Sequence, residues 1–287
     1  MRLRFDYHRP RALEEARALR AEIADSRYIA GGTDLLLRMR GGHQSPSALI
    51  SLRSLPDLVG VEANGTTRIG ALTTFTEILE HPTLCTRYPV LAQAVRRIGC
   101  VQIRNVATLG GNLCNAIPCA DSAPALLVLG ATLLVLGADG EREIPIDEFF
   151  VGPRETCLGP EEILTAVRID PPPQEGRGLF LKKTRVQRDL ALSSIAAFLT
   201  MSADGKTCRE ARIAAGSVAP VPLRLRKAEA LLEGHEITSE TLDRAMEQAR
   251  DEIAPISDVR ASADYRRHLT GVLLKRAVTT LLERSSA

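Results

Sequence analysis

The chain has 287 residues, enough for about two domains, each able to bury a core. Its formal net charge is only +2, so electrostatics give no case for a polyanion or an anionic membrane as partner. Aromatics make up 3% with no Trp, which argues against stacking platforms for single-stranded nucleic acid, and 45% hydrophobic with 25% charged residues describes a soluble globular chain. The longest apolar run, 125–138, is too short to span a membrane and is broken by Gly130 and Gly137. Met1-Arg2-Leu3-Arg4-Phe5-Asp6 has no signal-like apolar stretch, so a cytoplasmic protein is expected. Six cysteines without a spacing framework are expected to be reduced.

In chain order, the spacing predicts a helix over 9–24, with Ala12, Ala16, Leu19 and Ile23 on one face. Tyr28-Ile29-Ala30 reads as a strand entering Gly31-Gly32. Thr33-Asp34 then precede a helix from Leu35 and supply a capping residue for its start. Residues 48–52 form a strand, and 59–71 a hairpin in which Asn64-Gly65 suits a type I′ turn. Thr73-Thr74 precede a short helix, 88–100 is an amphipathic helix, and 123–129 another. Strands are expected at 131–136 and 163–169, with a turn at Ala138-Asp139-Gly140. Pro171-Pro172-Pro173, followed by Gln174-Glu175-Gly176, reads as a linker. Beyond it come strands at 180–184, 194–201 and 212–215, then helices near 223–233, 239–250 and 262–284. From pattern alone the class is mixed α and β.

Two segments carry candidate chemistry. Ala30-Gly31-Gly32-Thr33-Asp34 lies between a strand and a helix. Paired glycines let backbone amides approach a ligand, and a helix start adds unpaired N–H groups, which together suit a phosphate or diphosphate. The competing reading is a turn that simply needs glycine. The adjacent glycines do not make a GxGxxG fingerprint, and no GK[ST] makes a P-loop. The second segment is Thr108-Leu109-Gly110-Gly111-Asn112-Leu113-Cys114-Asn115-Ala116, ending near Asp121. Its hydroxyl, amides and carboxylate suit polyhydroxyl groups and a heterocycle edge better than a metal. Two such loops in one chain favour a nucleotide-like ligand with a diphosphate.

With these two loops, the stretches Gly216-Ser217-Val218-Ala219-Pro220-Val221-Pro222-Leu223-Arg224 and Asp258-Val259-Arg260-Ala261-Ser262-Ala263-Asp264-Tyr265-Arg266-Arg267 complete a resemblance. The chain resembles, over nearly its whole length, the FAD-binding (medium) subunit of the molybdenum hydroxylases, the family of xanthine dehydrogenase, carbon monoxide dehydrogenase and 4-hydroxybenzoyl-CoA reductase. The resemblance implies an α+β fold. A two-lobed FAD-binding domain at 1–172, with lobes of about 1–53 and 54–172, would precede a smaller α+β domain at 173–287 with an antiparallel sheet and C-terminal helices.

It also implies a cofactor set. Residues 30–35, with backbone amides of Gly31, Gly32, Thr33 and Asp34 as donors, would wrap the FAD diphosphate, flanked by Ile29, Ala30 and Leu35. Ile103, Ala107, Thr108, Gly111, Asn112, Cys114 and Asn115 would lie along pyrophosphate, ribityl and flavin. Asp121 would accept from a hydroxyl or order its loop, Ile163 and Leu164 would approach a ring, and Lys182 would be a cation near the flavin, with Lys183 as the alternative. The implied function is electron transfer from the [2Fe–2S] clusters of a small partner subunit to an acceptor such as NAD, quinone or oxygen. A large partner subunit would carry the molybdenum cofactor, in a dimer of heterotrimers.

Other readings stay open. A self-sufficient FAD-dependent oxidase would need acid–base residues in the C-terminal part, where Tyr265 and His268 stand. A non-catalytic nucleotide-binding assembly protein would use the loops only for order. His8, His43, His81, His235 and His268 are scattered and read as surface residues. Cys100, Cys114, Cys119 and Cys157 are conceivable cluster ligands, but buried thiols are expected, because the chain lacks the inserted loop that carries a cluster in one branch of the resembling family. Arg96, Arg97 and Arg104, and Arg224, Arg226 and Lys227, read as solvated faces or as contacts to a partner chain.

Overall fold

The computed structural model describes residues 4–285, with side chains to 283. Met1, Arg2 and Leu3 of the N-terminal stretch lie outside the described residues. The chain opens with a small parallel sheet of β1 (Asp6–His8), β2 (Ser26–Ile29) and β3 (Ala48–Ser51) in the order β1-β3-β2. Helices α1 (Leu13–Glu22) and α2 (Leu35–Arg40) follow β1 and β2. Parallel neighbours cannot be joined by a tight turn, so a crossover helix is required between them. Ala16, Ile50, Leu52, Leu55 and Leu58 bury the junction against Leu72 and Ile163 of the next layer.

That layer is a five-stranded sheet, β4 (Val61–Glu62), β5 (Thr67–Gly70), β6 (Thr132–Gly137), β7 (Gly140–Pro145) and β10 (Ile163–Ile169), in the order β4-β5-β10-β6-β7. A hairpin of β8 (Phe150–Gly152) and β9 (Glu155–Thr156) follows the short helix α9 (Ile146–Phe149). Helices α3 (Phe75–Glu80), α4 (Pro82–Arg87), α5 (Pro89–Arg96), α7 (Leu109–Cys114) and α8 (Ser122–Val128) bury its main apolar cluster, and the short α6 (Val101–Arg104) adds no buried residue. The helix expected over 88–100 stops at Arg96. Gly99 at φ 45° turns the chain, and α6 begins two residues later. The 59–71 hairpin forms, but not with a type I′ turn: Gly65 has φ 84° while Asn64 stays out of the left-handed region that turn needs twice.

The third layer is an antiparallel sheet of β11 (Gly176–Lys183), β12 (Ser193–Met201), β13 (Cys208–Gly216) and β14 (Leu223–Arg224). Strand β12 is buried along its whole length, and its period of two explains how. Ile195, Ala197, Leu199 and Met201 face the cluster built with α10 (Arg226–Leu232), α11 (Ser239–Asp251) and α12 (Ala263–Ser285). Ala196 and Phe198 face the opposite way, into the cluster containing α5 and α8. The sheet is therefore a shared middle layer. Ile195 is 0% exposed, and Ile195→Ala would cost about 2–5 kcal/mol.

Candidate functional site

The first glycine pair is held in place by a close backbone approach. A Cβ on Gly31 would sit 2.1 Å from the carbonyl oxygen of Val106, so only glycine lets 30–32 lie against 106–107. Gly32 follows at φ 69°, a left-handed conformation that L side chains adopt at a cost. The chain then enters α2 at Asp34, whose side chain makes no cap hydrogen bond, contrary to expectation. The carbonyls of Gly32 and Asp34 accept from Leu36 and Arg38 N–H. Among the described residues, the N–H groups of Gly31, Gly32, Thr33 and Asp34 find no partner. They are a run of unsatisfied donors at the wall of a cleft.

The second glycine pair works differently. The segment expected as a loop is the start of helix α7, and Thr108 caps it through Oγ1, which accepts from Gly111 N–H at 3.1 Å. Gly110 donates its N–H to the Ala71 carbonyl, and Asn112 to that of Thr108. These amides are already paired. Gly110 is needed for packing, because a Cβ there would meet Ala71 Cβ at 2.7 Å. What this segment offers the cleft is side chains. Asn112 Oδ1 accepts from Ser122 Oγ at 2.6 Å, and Asn115 Oδ1 accepts from Arg154 at 3.0 Å. Asn115 Nδ2 is buried without a partner, a donor that a polar ligand can satisfy.

Both segments line one cavity of about 570 Å³ between the parallel sheet and the five-stranded layer. It is lined by Ile29, Ala30, Gly31, Gly32, Thr33, Asp34 and Leu35 on one side. Ile103, Ala107, Thr108, Gly111, Asn112, Cys114, Asn115, Ile163 and Leu164 complete the expected set. The hydroxyl of Tyr28 donates across the cleft to the Glu161 carbonyl at 3.0 Å. Burial pushes this phenol up to about 12, against the lowering influence of Arg20 and Arg17. Glu162 holds the 159–162 segment beside it by accepting from Gly159 N–H and Arg142 at 2.7 Å each.

Asp121 and Lys182 do not line this cavity. Lys182 Nζ lies 2.6 Å from Asp121 Oδ2, with side-chain exposures of 3% and 5%. Strand parity selects Lys182: it shares a face with Phe180, toward α8, whereas Lys183 is exposed. Burial pushes the Asp121 carboxyl up to about 6, with Lys182 and Arg97 pulling it down. The pair sits just behind the cavity wall, because Ser122 bonds Asn112 and Lys182 Nζ reaches the Arg97 carbonyl at 3.4 Å beside the lining residue Ile98.

The remaining candidates fall elsewhere. Cys100, Cys119 and Cys157 are half-buried and Cys114 exposed, so the expectation of buried thiols fails for these four, and Cys208 is the buried cysteine. Cys114 is reached from the cleft, yet enough protein surrounds it that desolvation pushes its thiol up to about 12, which keeps it neutral. Tyr265 and His268 are exposed on α12 and line no part of the cavity. Arg224 is no solvated face: it forms a buried pair with Glu229 at 2.5 Å. Arg226 pairs with Asp147 at 2.7 Å. Cavity-lining Arg38, Arg154 and Tyr28 were outside the expected set. The signal for Arg38 was available, since it stands four residues after Asp34 in a helix.

The residues fit a flavin dinucleotide. The cavity of about 570 Å³ is lined both by the unpaired amides of Gly31, Gly32, Thr33 and Asp34, which suit a diphosphate, and by apolar Ile103, Ile163 and Leu164, which suit a ring. Comparison with known proteins agrees. Residues 3–172 match the family model described as the FAD binding domain in molybdopterin dehydrogenase, and 179–281 match that of the CO dehydrogenase flavoprotein C-terminal domain. The chain is 36% identical over 276 residues to the carbon monoxide dehydrogenase medium chain of Afipia carboxidovorans, covering 96% of this chain and 95% of that one. It is 33% identical over 275 residues to the xanthine dehydrogenase FAD-binding subunit of Escherichia coli O157:H7, covering 95% and 94%. A solved carbon monoxide dehydrogenase from Hydrogenophaga pseudoflava superimposes with a TM-score of 0.95 at 32% identity, over 99% of each chain.

The fold and the cleft therefore define a flavoprotein of the oxidoreductases. More narrowly, the chain belongs to the FAD-binding subunits of the molybdenum hydroxylase family, which includes the xanthine and carbon monoxide dehydrogenases.

Proposed function

We propose that this chain is the FAD-binding electron-transfer subunit of a multi-subunit molybdenum-containing hydroxylase or dehydrogenase. It works between the [2Fe–2S] clusters of a small partner chain and an external acceptor such as NAD. The organic substrate is oxidised on a large molybdenum-cofactor chain, and the assembly is a cytoplasmic dimer of heterotrimers. Among the described residues, no helix is long and apolar enough to cross a membrane. Residues 1–172 form the cofactor unit, in lobes of about 1–53 and 54–172, and 173–287 the second unit.

One observation supports the reading above the others: the unpaired amides of Gly31, Gly32, Thr33 and Asp34 and the side chains of Asn112 and Asn115 line one cavity. When bound there, FAD supplies the exchange between one-electron and two-electron carriers. The protein's part is to bind and orient. The amides of 31–34 hold the diphosphate, and Thr108, Asn112 and Asn115 meet the sugar-like chain. Ile103, Ile163 and Leu164 pack a ring, and Cys114 contributes an uncharged surface. The Asp121–Lys182 pair places a compensated charge behind the wall, and the Tyr28–Glu161 hydrogen bond ties the lobes together.

The test is reconstitution. The full chain should retain FAD when purified alone, yet turn over organic substrate only with its large and small partner chains. Turnover by the isolated chain at the rate of the complex would contradict the reading and favour a self-sufficient oxidase.

A further inference from the structure

We propose that Arg38 is a diphosphate-binding residue of this cleft, and that its guanidinium sets the chain's preference for ligands carrying a diphosphate over those that lack one. The proposal rests on the FAD reading of the cavity and adds to it a residue outside the set carried by the two glycine segments.

Its position is the first observation. Arg38 lines the same cavity as Gly31, Gly32, Thr33 and Asp34, and stands one helical turn past Asp34 on α2. Helical side chains lean back toward the N-terminal end, so a residue at this position projects over the preceding turn, here the glycine bend.

Its lack of partners is the second. Among the described residues the Arg38 side chain makes no hydrogen bond and no ion pair, and its Nε is shut off from water with no acceptor. A buried, unsatisfied donor on a charged group is costly to leave unpaired. The neighbouring cations are already engaged. Arg20 gives Nη1 to the Ala24 carbonyl at 2.9 Å and to Ser26 Oγ at 3.4 Å, and Arg27 donates to the Ser26 carbonyl at 3.1 Å. Across the cavity, Arg154 is taken by Asn115 at 3.0 Å. Arg38 is thus the arginine of this wall with its full set of donors free.

The third is the character of the surroundings. Unpaired guanidinium donors lie beside a run of unpaired backbone N–H groups, so donors outnumber the one acidic group, Asp34, at the bend. The complement of such a region is an acceptor-rich anion, and a planar guanidinium matches phosphate oxygens two at a time. Asp34 opposes this, since its carboxylate shares the bend and forms no ion pair with Arg38. An anion arriving here meets one repelling carboxylate, and Arg38 is the charge that offsets it.

The experiment uses full-length chain stripped of flavin, titrated calorimetrically with FAD, with ADP (a diphosphate without flavin) and with riboflavin (flavin without phosphate). Arg38→Ala should weaken FAD and ADP by about ten- to a hundredfold and leave riboflavin unchanged. Arg38→Lys should recover part of the loss by restoring charge without the fork. Circular dichroism checks that each variant is folded. Unchanged ADP and FAD affinity in Arg38→Ala would overturn the proposal while leaving the FAD reading intact, as would an equal loss for riboflavin. Wild-type chain that binds neither FAD nor ADP would overturn the FAD reading itself, and this proposal with it.

Discussion

Lys182 and Asp121 form an ion pair, Nζ to Oδ2 at 2.6 Å, with both side chains almost fully enclosed between β11 and the start of α8. Asp121 Oδ1 has no partner, so the pair is not fully satisfied. Removing one member strands the other. Lys182→Met should cost about 3–5 kcal/mol, and the double variant Lys182→Met with Asp121→Asn should recover much of it. Thermal unfolding of the three variants checks this. A loss in the double variant equal to the sum of the two single losses would show that the two groups do not interact.

The same carboxyl predicts a pH dependence. Burial, opposed by Lys182, lifts Asp121 from 3.8 to about 6 in the folded chain. The folded state then binds the proton more tightly than the unfolded state. Its contribution to stability is fully present below about 3.8 and is lost as pH rises through about 6. Asp121→Asn removes a titrating group, so the stability difference between wild type and variant should shift against wild type between pH 4 and 6.5, about the interval set by these two values. A difference that stays flat across this interval would count against it.

Two glycine substitutions should separate site from scaffold. Gly31→Ala places a Cβ 2.1 Å from the Val106 carbonyl oxygen, so the bend must move off the 106–107 segment and flavin retention should fall steeply. Gly65→Ala, at φ 84° with nothing within 4 Å, should cost about 1–2 kcal/mol of backbone strain and leave flavin content at the wild-type level. Absorbance of the purified variants, scaled to protein, makes the comparison.

Tyr28→Phe deletes the hydroxyl that donates to Glu161 across the two walls of the cleft. A hydrogen bond of this kind is worth about 1 kcal/mol, so FAD dissociation should quicken about fivefold. Dissociation followed by flavin fluorescence on dilution reads it directly. An unchanged rate would mean that the two walls of the cleft are held together elsewhere.

Much of this was legible in the residues, and the exceptions share a cause. The strand Ile163–Ile169 was readable from β-branched residues at alternate positions, and β12 from the apolar run Ile195-Ala196-Ala197-Phe198-Leu199. The glycine bend at 31–34 became readable as a ligand loop only together with the second glycine pair, because one pair between a strand and a helix equally suits a plain turn. Helix α7 was hidden because two adjacent glycines oppose a helix by propensity. Here contact with Ala71 and the Thr108 cap outweigh that preference. Strand β7, Gly-Glu-Arg-Glu-Ile-Pro, has no alternation to read and exists because β6 offers an edge. The partnering of Lys182 with Asp121, 61 residues apart, depends on the stacking of layers and has no local signature.

The central claim is that one diphosphate sits on the Gly31-Gly32-Thr33-Asp34 amides in the shared cleft. A crystal structure of the chain with FAD tests it most directly. The account predicts diphosphate oxygens within hydrogen-bonding distance of those amides and the flavin beside Ile103, Ile163 and Leu164. FAD bound at any other surface, with the 31–34 amides left facing solvent, would contradict it.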